Sequence, residues 1–469
     1  MDHRLAADLA ALPELLESTR VYATGVLEGL DERPAAHPPA PPAAEPLPER
    51  GAGLAGALAT FAERWAPGFS GSAGPRYLGF VTGGATPAAL AGDWLTGVFD
   101  QNGSSEVGST GGELERETLG WLRELFGLDA GQSGAFVSGA TMSNLVGLAI
   151  GREWLGERLG VDVARHGAHA LGPVEVLSGA PHSSIYKALS ILGLGRDAVR
   201  QLPVRPGREA VDVAALRAAL AARDGRPAIV VANAGTVNTV DFDDLRAIAA
   251  LREEFPFWLH VDAAFGAFAA LSPEHAPLLD GLTEADSVCV DLHKWLNVPY
   301  DSAVQYTRRP DLQSRVFGNS AAYLGPLTER PDFLHLTPEN SRRLRALAAW
   351  FSLAAYGRAG HRDIVERNVA SARRVGARLA ELPGVRLLAP VRLNVACLAV
   401  PGDPAETARA LAETGEAFVT PTVYAGTPAL RLAFSNWRTT EADEERIVAA
   451  FRKVLWARNW DGAVPVRAE

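Results

Sequence analysis

The sequence predicts an α/β fold in which a mostly parallel sheet forms a large domain. From about residue 110 to residue 307, short apolar segments of strand length alternate with segments of helical periodicity. This alternation is typical of parallel sheets covered by helices. Polar residues directly follow several of the apolar segments, as expected at the carboxyl ends of such strands. After about residue 345 the pattern changes to a long helix, two strands and a closing helix, which indicates a smaller C-terminal α+β domain.

The individual elements follow from periodicity and from the turn residues between them. The predicted strands of the large domain are 134–139, 174–179, 228–235, 257–266, 287–293 and 302–307. Helical spacing predicts the main helices of this region at 111–127, 142–159 and 242–255. In the smaller domain, strands are predicted near 393–400 and 429–434.

The N-terminal region precedes this alternation. Its first 28 or so residues predict one amphipathic helix rather than a signal peptide, because acidic residues interrupt the apolar positions. Residues 33–48 are rich in Pro and Ala, so they cannot be helical and are expected to form an extended connector or a disordered linker. We therefore predict an N-terminal helical and extended segment (1–85), a large domain (86–345) and a small domain (346–469).

Composition excludes several classes of protein. The 45 basic and 55 acidic residues give a net charge of −10, which disfavours a general nucleic-acid binder because such proteins present a basic face to phosphate. No window approaches the ~18 consecutive apolar residues of a membrane span. The two cysteines, Cys289 and Cys397, cannot form a disulfide framework, so we expect a reducing, cytoplasmic environment.

Lysine is rare in this chain and its positions are therefore informative. The 45 basic residues include only three lysines: Lys187, Lys294 and Lys453. Codon bias in a GC-rich genome explains a general excess of arginine, but a lysine that persists can be needed for chemistry that arginine cannot perform. Lys294 ends a predicted buried strand, and burial lowers the pKa of an amine and makes it nucleophilic. The alternative at this position is a structural lysine in an ion pair.

Asp262 is a second candidate for a functional residue. It follows the apolar residues at the start of the predicted strand 257–266. A carboxylate here can bind a metal, a ribose or a protonated ring nitrogen, or it can simply cap a helix. We predict no metal site, because no His or carboxylate ligands cluster around Asp262 at recognisable spacing. A carboxylate against a pyridinium nitrogen together with an imine-forming lysine makes up the two contacts that pyridoxal phosphate most requires from a protein.

Further polar groups lie at other predicted strand ends. The small residues from Ser138 to Asn144 open a helix, where backbone N–H groups and the helix dipole favour an anion such as phosphate. His182 could stack on a flat cofactor ring, although a histidine at a strand end is often structural. Thr236 could face the same ring. The G-x-G-x-x-A sequence at 193–198 follows a helix rather than a strand, so it does not predict a dinucleotide site.

Five motifs in this order resemble the group II pyridoxal-phosphate-dependent amino-acid decarboxylases of fold type I, which include the aromatic-amino-acid, glutamate and histidine decarboxylases. The motifs are SGATMSN, PHSSIYKA, NAGTVNT, HVDAAFG and DLHKWLNVPYD. The resemblance covers nearly the whole chain. It implies a fold type I transferase-like architecture, pyridoxal 5′-phosphate as cofactor and a homodimer with shared active sites.

The resemblance also implies roles for individual residues. Lys294 resembles the Schiff-base lysine, Asp262 the partner of the pyridine nitrogen and His182 the ring-stacking histidine. The remaining cofactor contacts that it implies are Ala140, Thr141, Thr236, His293 and Asp291. In the family's dimer the 77–102 segment lies near the partner's active site, so the expected substrate contacts in trans are Phe80, Thr82 and Gly83.

One departure from the family leaves the product open. Family decarboxylases carry a tyrosine on a mobile loop that protonates the substrate carbon, and Phe333 falls at about that place here, with Tyr323 as the nearest alternative donor. Phenylalanine there is associated with aldehyde synthases. We therefore expect an L-amino-acid decarboxylase that forms an amine, with an aldehyde synthase, a carbon–carbon lyase or a catalytically silent binding paralogue as alternatives. Room near Gly83 favours an aromatic or large apolar substrate.

Overall fold

The computed structural model describes residues 1–36, 40–104, 108–320 and 330–460, with side chains up to residue 457. The described residues form two sheets. The larger sheet contains β1 (Ser133–Val137), β2 (Val176–Ser178), β3 (Val199–Gln201), β4 (Ala228–Asn233), β5 (Phe257–Asp262), β6 (Ser287–Asp291) and β7 (Ala303–Thr307). The smaller sheet contains β8 (Arg386–Leu387), β9 (Val395–Ala399), β10 (Thr420–Tyr424) and β11 (Thr427–Ala433).

The larger sheet has the order β1-β7-β6-β5-β4-β2-β3. All pairings from β6 to β3 are parallel, whereas β7 runs antiparallel to both β1 and β6. The smaller sheet has the order β10-β11-β9-β8 and is antiparallel throughout. The predicted fold class, with a mostly parallel sheet and an α+β C-terminal region, is therefore confirmed.

Helices surround both sheets. They are α1 (His3–Ala10), α2 (Leu12–Glu28), α3 (Gly53–Arg64), α4 (Pro87–Phe99), α5 (Gly111–Leu125), α6 (Ala140–Leu159), α7 (Val163–His166), α8 (Ser183–Ile191), α9 (Val213–Ala221), α10 (Leu245–Ala250), α11 (Leu292–Trp295), α12 (Pro310–Phe317), α13 (Ala346–Ala380), α14 (Pro404–Thr414) and α15 (Glu441–Trp460). Within the described ranges, none of them is both long and apolar enough to cross a bilayer.

Alternation along β4 shows why this strand lies in the centre of the larger sheet. All six of its residues are buried. Val230 and Ala232 join one hydrophobic cluster, whereas Ile229 and Val231 join another. Because successive side chains of a strand point to opposite faces, the two clusters lie on opposite sides of the sheet. A strand buried on both faces must be apolar throughout, which is the pattern that the sequence shows.

The N-terminal helix differs from its prediction. The expected single helix is divided into α1 and α2, with Ala11 between them. Pro13 explains the break, because its ring nitrogen has no hydrogen to donate to the carbonyl one turn earlier. Residues 40–48 of the predicted connector form neither helix nor strand.

The smaller sheet packs against α13 and α15 in a separate hydrophobic cluster. Helix α13 is kinked at Gly357, where φ is 56° and ψ is −171°. A residue with a side chain would be strained at this positive φ, which glycine adopts readily. His361 follows the kink and is 1% exposed.

We predict that His361 makes the protein less stable in mild acid. Its Nε2 lies 3.4 Å from the Ser352 carbonyl oxygen, and burial lowers its pKa from 6.5 to about 4. Between these values the unfolded chain binds a proton that the folded chain does not, so the free energy of unfolding falls as the pH falls from 6.5 towards 4, by at most ~1.4 kcal/mol per pH unit. His361→Gln should reduce this pH dependence in urea unfolding at pH 7.5 and pH 5.

The matched control is His166→Gln, since His166 is exposed at the end of α7. Its unfolding should keep the wild-type dependence on pH. An equal loss of stability in wild type and His361→Gln on acidification would contradict the prediction.

Candidate active site

The carboxyl ends of the parallel strands surround a cavity of about 290 Å³. Its walls are Phe80, Val81, Ala140, Ala180, His182, Asn233, Gly235, Thr236, Val237, Asp262, Ala264, Phe265, His293, Lys294, Tyr300 and Arg431. Most of these follow strands of the larger sheet, whereas Arg431 comes from β11 of the smaller sheet. The cavity therefore lies where the two sheets meet.

Lys294 lies in α11, the single helical turn that directly follows β6. Its Nζ is 3.5 Å from Asp291 Oδ2 and 5.5 Å from the centre of the Phe265 ring. The amine thus has one carboxylate partner and an aromatic neighbour, and its side chain is 20% exposed. The ion pair that the sequence left as a structural alternative is present, but it lies inside the cavity, so it does not exclude a reactive amine.

Asp291 also contacts His293. Its Oδ1 lies 3.0 Å from His293 Nε2. Because the Ser302 backbone N–H donates to His293 Nδ1 (3.3 Å), Nδ1 is the acceptor and Nε2 carries the hydrogen that faces Asp291. The Asp291 carboxylate is 3% exposed, and these two neighbours compensate its charge.

The first turn of α6 offers an anion site between these groups. Gly139 precedes the helix and no side chain caps it, so the first backbone N–H groups remain available to a ligand. Ala140 N donates to Asp291 Oδ2 (3.3 Å). Thr141 is half-buried in the same turn, and Ser143 Oγ donates to the Val304 carbonyl (2.9 Å), away from the cavity.

Asp262 ends β5 and is 7% exposed. Its Oδ2 accepts from Asn144 Nδ2 (2.9 Å) and its Oδ1 from the Ala264 backbone N–H (3.2 Å). Two fixed donors hold the carboxylate in one orientation at the cavity wall. A carboxylate held in this way can bind a protonated ring nitrogen.

His182 precedes α8 and lines the cavity. Its Nδ1 accepts from the Ser184 backbone N–H (3.2 Å) and lies 2.8 Å from Ser184 Oγ. Although the ring is open to the cavity, desolvation by the surrounding walls lowers the pKa of His182, and the negative charge of Asp262 opposes this effect. At neutral pH the ring is therefore uncharged and can pack against a flat cofactor.

Thr236 also lines the cavity, but its hydroxyl is already engaged. Its Oγ1 donates to Glu209 Oε2 and accepts from the Asp241 backbone N–H (2.9 Å). One lone pair remains, so Thr236 can accept a hydrogen bond from a ligand but cannot donate one. Glu209 also accepts from Thr239 N and from Asn238 Nδ2, and thereby fixes the whole loop.

The substrate residues implied by the resemblance lie at or near the cavity of their own chain. Phe80 lines this cavity. Thr82 and Gly83 lie beside it: Thr82 Oγ1 is 3.4 Å from Tyr300 Oη, and a Cβ on Gly83 would lie 2.0 Å from the Lys294 carbonyl oxygen. Glycine at position 83 is thus required for the segment to approach Lys294. A contribution of these residues to a partner's pocket stays a prediction.

Phe333, which falls at the predicted donor position, does not line the cavity. It is 1% exposed in the hydrophobic core, with the guanidinium groups of Arg116 and Arg342 at 4.8 and 5.1 Å from its ring centre. This packing accounts for an apolar residue at position 333 without a role at the substrate. Tyr323 lies outside the described residues.

Sequence reasoning missed Arg431, Tyr300 and Asn144. Arginine is so frequent in this chain that Arg431 was not distinctive, yet its place inside the apolar strand 429–434 was a usable signal. Tyr300 lies in the DLHKWLNVPYD motif and stacks on His293 with ring centres 4.1 Å apart. Asn144 ends the SGATMSN motif, but only the folded chain places it beside Asp262.

The sequence profile described as "Pyridoxal-dependent decarboxylase conserved domain" matches residues 47–400. This chain belongs to that family. The pyridoxal-dependent decarboxylase is 28% identical over 393 residues to an aromatic-L-amino-acid decarboxylase from Bacillus atrophaeus, with 80% of each chain covered. It is 32% identical over 348 residues to the aromatic-L-amino-acid decarboxylase of Sus scrofa, with 69% of each chain covered.

Solved structures support the same fold. A crystal structure of TDC from Oryza sativa with PLP and tryptamine superimposes with a TM-score of 0.88 at 22% identity, over 96% of this chain and 98% of that one. The family and its members establish the enzyme class: the protein is a pyridoxal-phosphate-dependent amino-acid decarboxylase, a carboxy-lyase.

The cavity of this decarboxylase fits the cofactor. A lysine amine, a fixed carboxylate and an uncapped helix N-terminus meet in one space, and these match the aldehyde, the ring nitrogen and the phosphate of pyridoxal phosphate. The residues that would hold the cofactor are Lys294, Asp262, His182, Ala140 and His293.

We predict that borohydride reduction of the decarboxylase attaches the cofactor to Lys294. Peptide mass spectrometry should find the label there and not on Lys187, which is exposed on α8, or on Lys453. Lys294→Ala should lose turnover by at least ~10³-fold, because no other lysine lines the described cavity. Lys187→Ala is the matched control and should retain activity; a label on Lys187 would refute the assignment.

Proposed function

We propose that the protein decarboxylates an aromatic or large apolar L-amino acid to the corresponding amine, with Arg431 binding the α-carboxylate. The observation that carries this proposal is that the Arg431 guanidinium is buried without a hydrogen-bond partner. It is 6% exposed and lines the cavity, and within the described residues its guanidinium makes no hydrogen bond or salt bridge, although the charge of Glu209 acts on it. Its Nε is buried without a partner.

A buried and unpaired guanidinium is costly unless a ligand completes it. Burial lowers the pKa of Arg431 to about 10, so the group is still charged at neutral pH. Arginine presents parallel N–H groups that match a carboxylate. An amino acid whose amine lies at Lys294 would therefore find a fixed partner for its carboxylate on the opposite sheet.

The remaining walls favour an apolar side chain. Phe80 and Tyr300 are 62% and 59% exposed at the cavity, and Phe265 and Val237 also line it. In the described walls, the cationic side chains are Lys294 and Arg431. An acidic side chain would need a further cation, and a side-chain amine would need a carboxylate other than Asp262 and Asp291, which are already paired. An aromatic or large aliphatic side chain needs neither.

Each residue has a distinct part in the proposed reaction. Pyridoxal phosphate, when bound, supplies a ring that accepts the electron pair left behind as CO₂ departs. Asp262 would keep the ring nitrogen protonated, and His182 would pack against the ring face. Arg431 would bind the substrate carboxylate and shield it from water. The source of the proton that returns to the substrate carbon is open, and the Tyr300 hydroxyl is a candidate inside the cavity.

The proposal predicts the products of a panel of amino acids. Purified enzyme should release CO₂ and amine in equal amounts from at least one of tryptophan, tyrosine, phenylalanine or leucine, and turn over glutamate and diaminobutyrate at least ~100-fold more slowly. Amine should be detected by chromatography and oxygen by an electrode. Oxygen uptake with aldehyde and peroxide would indicate an aldehyde synthase, and preference for glutamate would contradict the substrate class.

Arg431→Gln tests the carboxylate contact within the same assay. Loss of a charge-assisted hydrogen bond should lower kcat/KM by about 10- to 100-fold, while cofactor binding remains. Arg392→Gln is a suitable control, because Arg392 contacts Asp241 (3.5 Å) and does not line the cavity. Equal effects of both substitutions would count against a specific role for Arg431.

We also propose a cytoplasmic homodimer. The support for a dimer is apolar surface near the N-terminus: Trp94, Val98 and Phe99 of α4 are 45%, 72% and 64% exposed. An adjoining apolar cavity of about 320 Å³ lies between α2, α3 and α4. Such a surface is unusual on a monomer and typical of an interface between subunits. Both cysteines are free and buried, which agrees with a reducing compartment.

Light scattering coupled to size exclusion should give a mass near twice 49.7 kDa. Val98→Glu combined with Phe99→Glu should produce monomers, because a desolvated charge opposes association. Ile191→Glu is the control; Ile191 is 61% exposed at the end of α8 and its change should leave the dimer intact. A fully active monomeric wild type at assay concentration would refute the proposal.

A further inference from the structure

A continuous chain of buried hydrogen bonds runs behind the cavity. It begins at Trp258, whose Nε1 donates to Ser287 Oγ (3.1 Å). Ser287 Oγ lies 2.8 Å from His260 Nδ1. Trp258, Ser287 and His260 are each 0% exposed, so each polar atom must find its partner within the protein.

The direction of this chain is fixed at its Asp262 end. The Asp262 carboxylate can only accept, so Asn144 presents Nδ2 to Asp262 and Oδ1 to His260 Nε2, which lies 2.9 Å away. His260 therefore carries its hydrogen on Nε2. Burial lowers the pKa of His260 to about 4, which keeps the ring neutral, so Nδ1 accepts from Ser287 Oγ and Ser287 Oγ accepts from the indole N–H.

Asn144 divides the chain into two arms. Its Oδ1 accepts from His260, and its Nδ2 donates both to Asp262 Oδ2 (2.9 Å) and to Ser184 Oγ (3.0 Å). The opposite orientation of the amide would direct Oδ1 at the Asp262 carboxylate, so that two acceptors would face each other. Asn144 is 0% exposed and has one partner for each hydrogen of its amide.

The second arm ends at His182. Ser184 accepts from Asn144 and lies next to His182 Nδ1 through both its hydroxyl and its backbone N–H. Since the backbone N–H can only donate, Nδ1 is an acceptor and the hydrogen of neutral His182 is on Nε2. The two groups that flank the cofactor ring, Asp262 and His182, are therefore held by the two hydrogens of a single amide.

We propose that Asn144 is a positioning residue that fixes Asp262 for the cofactor nitrogen and, through the Ser184 hydroxyl, fixes the orientation of His182. This inference rests on the roles proposed above for Asp262 and His182. It assigns a function to a residue that does not line the cavity. It also explains why the single-tautomer His260 lies behind the site: a neutral ring with its hydrogen on Nδ1 would present an acceptor to Asn144 Oδ1 and reverse the amide.

The test separates the two arms. Apoenzyme is titrated with pyridoxal phosphate, the dissociation constant is followed by tryptophan fluorescence, and kcat is measured at saturating cofactor. Asn144→Ala should weaken cofactor binding at least tenfold, as expected for loss of a hydrogen bond to a charged group. Ser184→Ala removes only the His182 arm, so it should keep the dissociation constant within about threefold and lower kcat roughly fivefold.

Asn144→Asp is the conservative variant. Protonated, its hydroxyl can donate to Asp262; ionised, it repels Asp262. The titratable groups around this position are Asp262 and His260 from β5, His182 before α8, and Cys289 from β6, whose burial raises its pKa so that it stays a thiol. Cofactor affinity relative to wild type should therefore be near normal at pH 5.5 and at least tenfold weaker at pH 8.5. A merely structural role predicts the same ratio at both pH values.

Asn394→Ala is the matched control for the loss of a buried asparagine side chain. Asn394 is also 0% exposed and donates to the Phe434 carbonyl (2.9 Å), but it does not line the cavity. It should lower thermal stability without changing cofactor affinity. If Asn144→Ala behaves like Asn394→Ala, or if Ser184→Ala weakens cofactor binding as much as Asn144→Ala does, the inference is overturned.

Asp262→Asn distinguishes this failure from a failure of the proposed function. If Asp262→Asn leaves cofactor affinity unchanged, the assigned role of Asp262 is wrong and the inference falls with it. If Asp262→Asn loses affinity while Asn144→Ala retains it, the role of Asp262 stands and only the inference about Asn144 is wrong.

Discussion

Parallel pairing of β4, β5 and β6 is the constraint on which the site depends. The register aligns Asn233 with Asp262 and Asp262 with Cys289, so the last residues of β4 and β5 lie side by side, next to a residue of β6 that precedes its last residue, Asp291, by two positions. Because these strands are buried on both faces, a shift by one residue would exchange the two hydrophobic clusters and move every polar terminus. Packing of the apolar core thus fixes the strand register, and the register fixes where the polar residues at the strand ends lie.

Burial of so many ionisable groups at one sheet edge requires compensation. Asp291 has His293 and Lys294, and Asp262 has the Asn144 amide and a backbone N–H. Arg431 alone lacks a described partner. Among the described residues of the cavity wall, the Arg431 guanidinium is a buried cation without a hydrogen-bond acceptor, and a carboxylate would supply one.

Sequence reasoning recovered the groups that end strands and missed those that depend on contacts between distant segments. Lys294, Asp262 and His182 each follow an apolar run, so local pattern was sufficient to select them. Arg431 is on the other sheet, and the local signal that it offers, its place inside an apolar strand, is obscured by the abundance of arginine in this chain. Phe333 was placed at the substrate by counting along a loop, whereas its burial under two arginines is a tertiary fact. The break at Ala11 was foreseeable, since Pro13 is visible in the sequence.

Because Arg431 lies on β11, the substrate specificity of this enzyme can evolve separately from its cofactor site. The cofactor contacts all belong to one sheet and the proposed carboxylate contact belongs to the other. Substitutions along the antiparallel hairpin of β10 and β11 can therefore alter which molecules are admitted while the machinery for holding the cofactor is left intact. New specificities are accessible to such a scaffold without passing through an intermediate that has lost its chemistry.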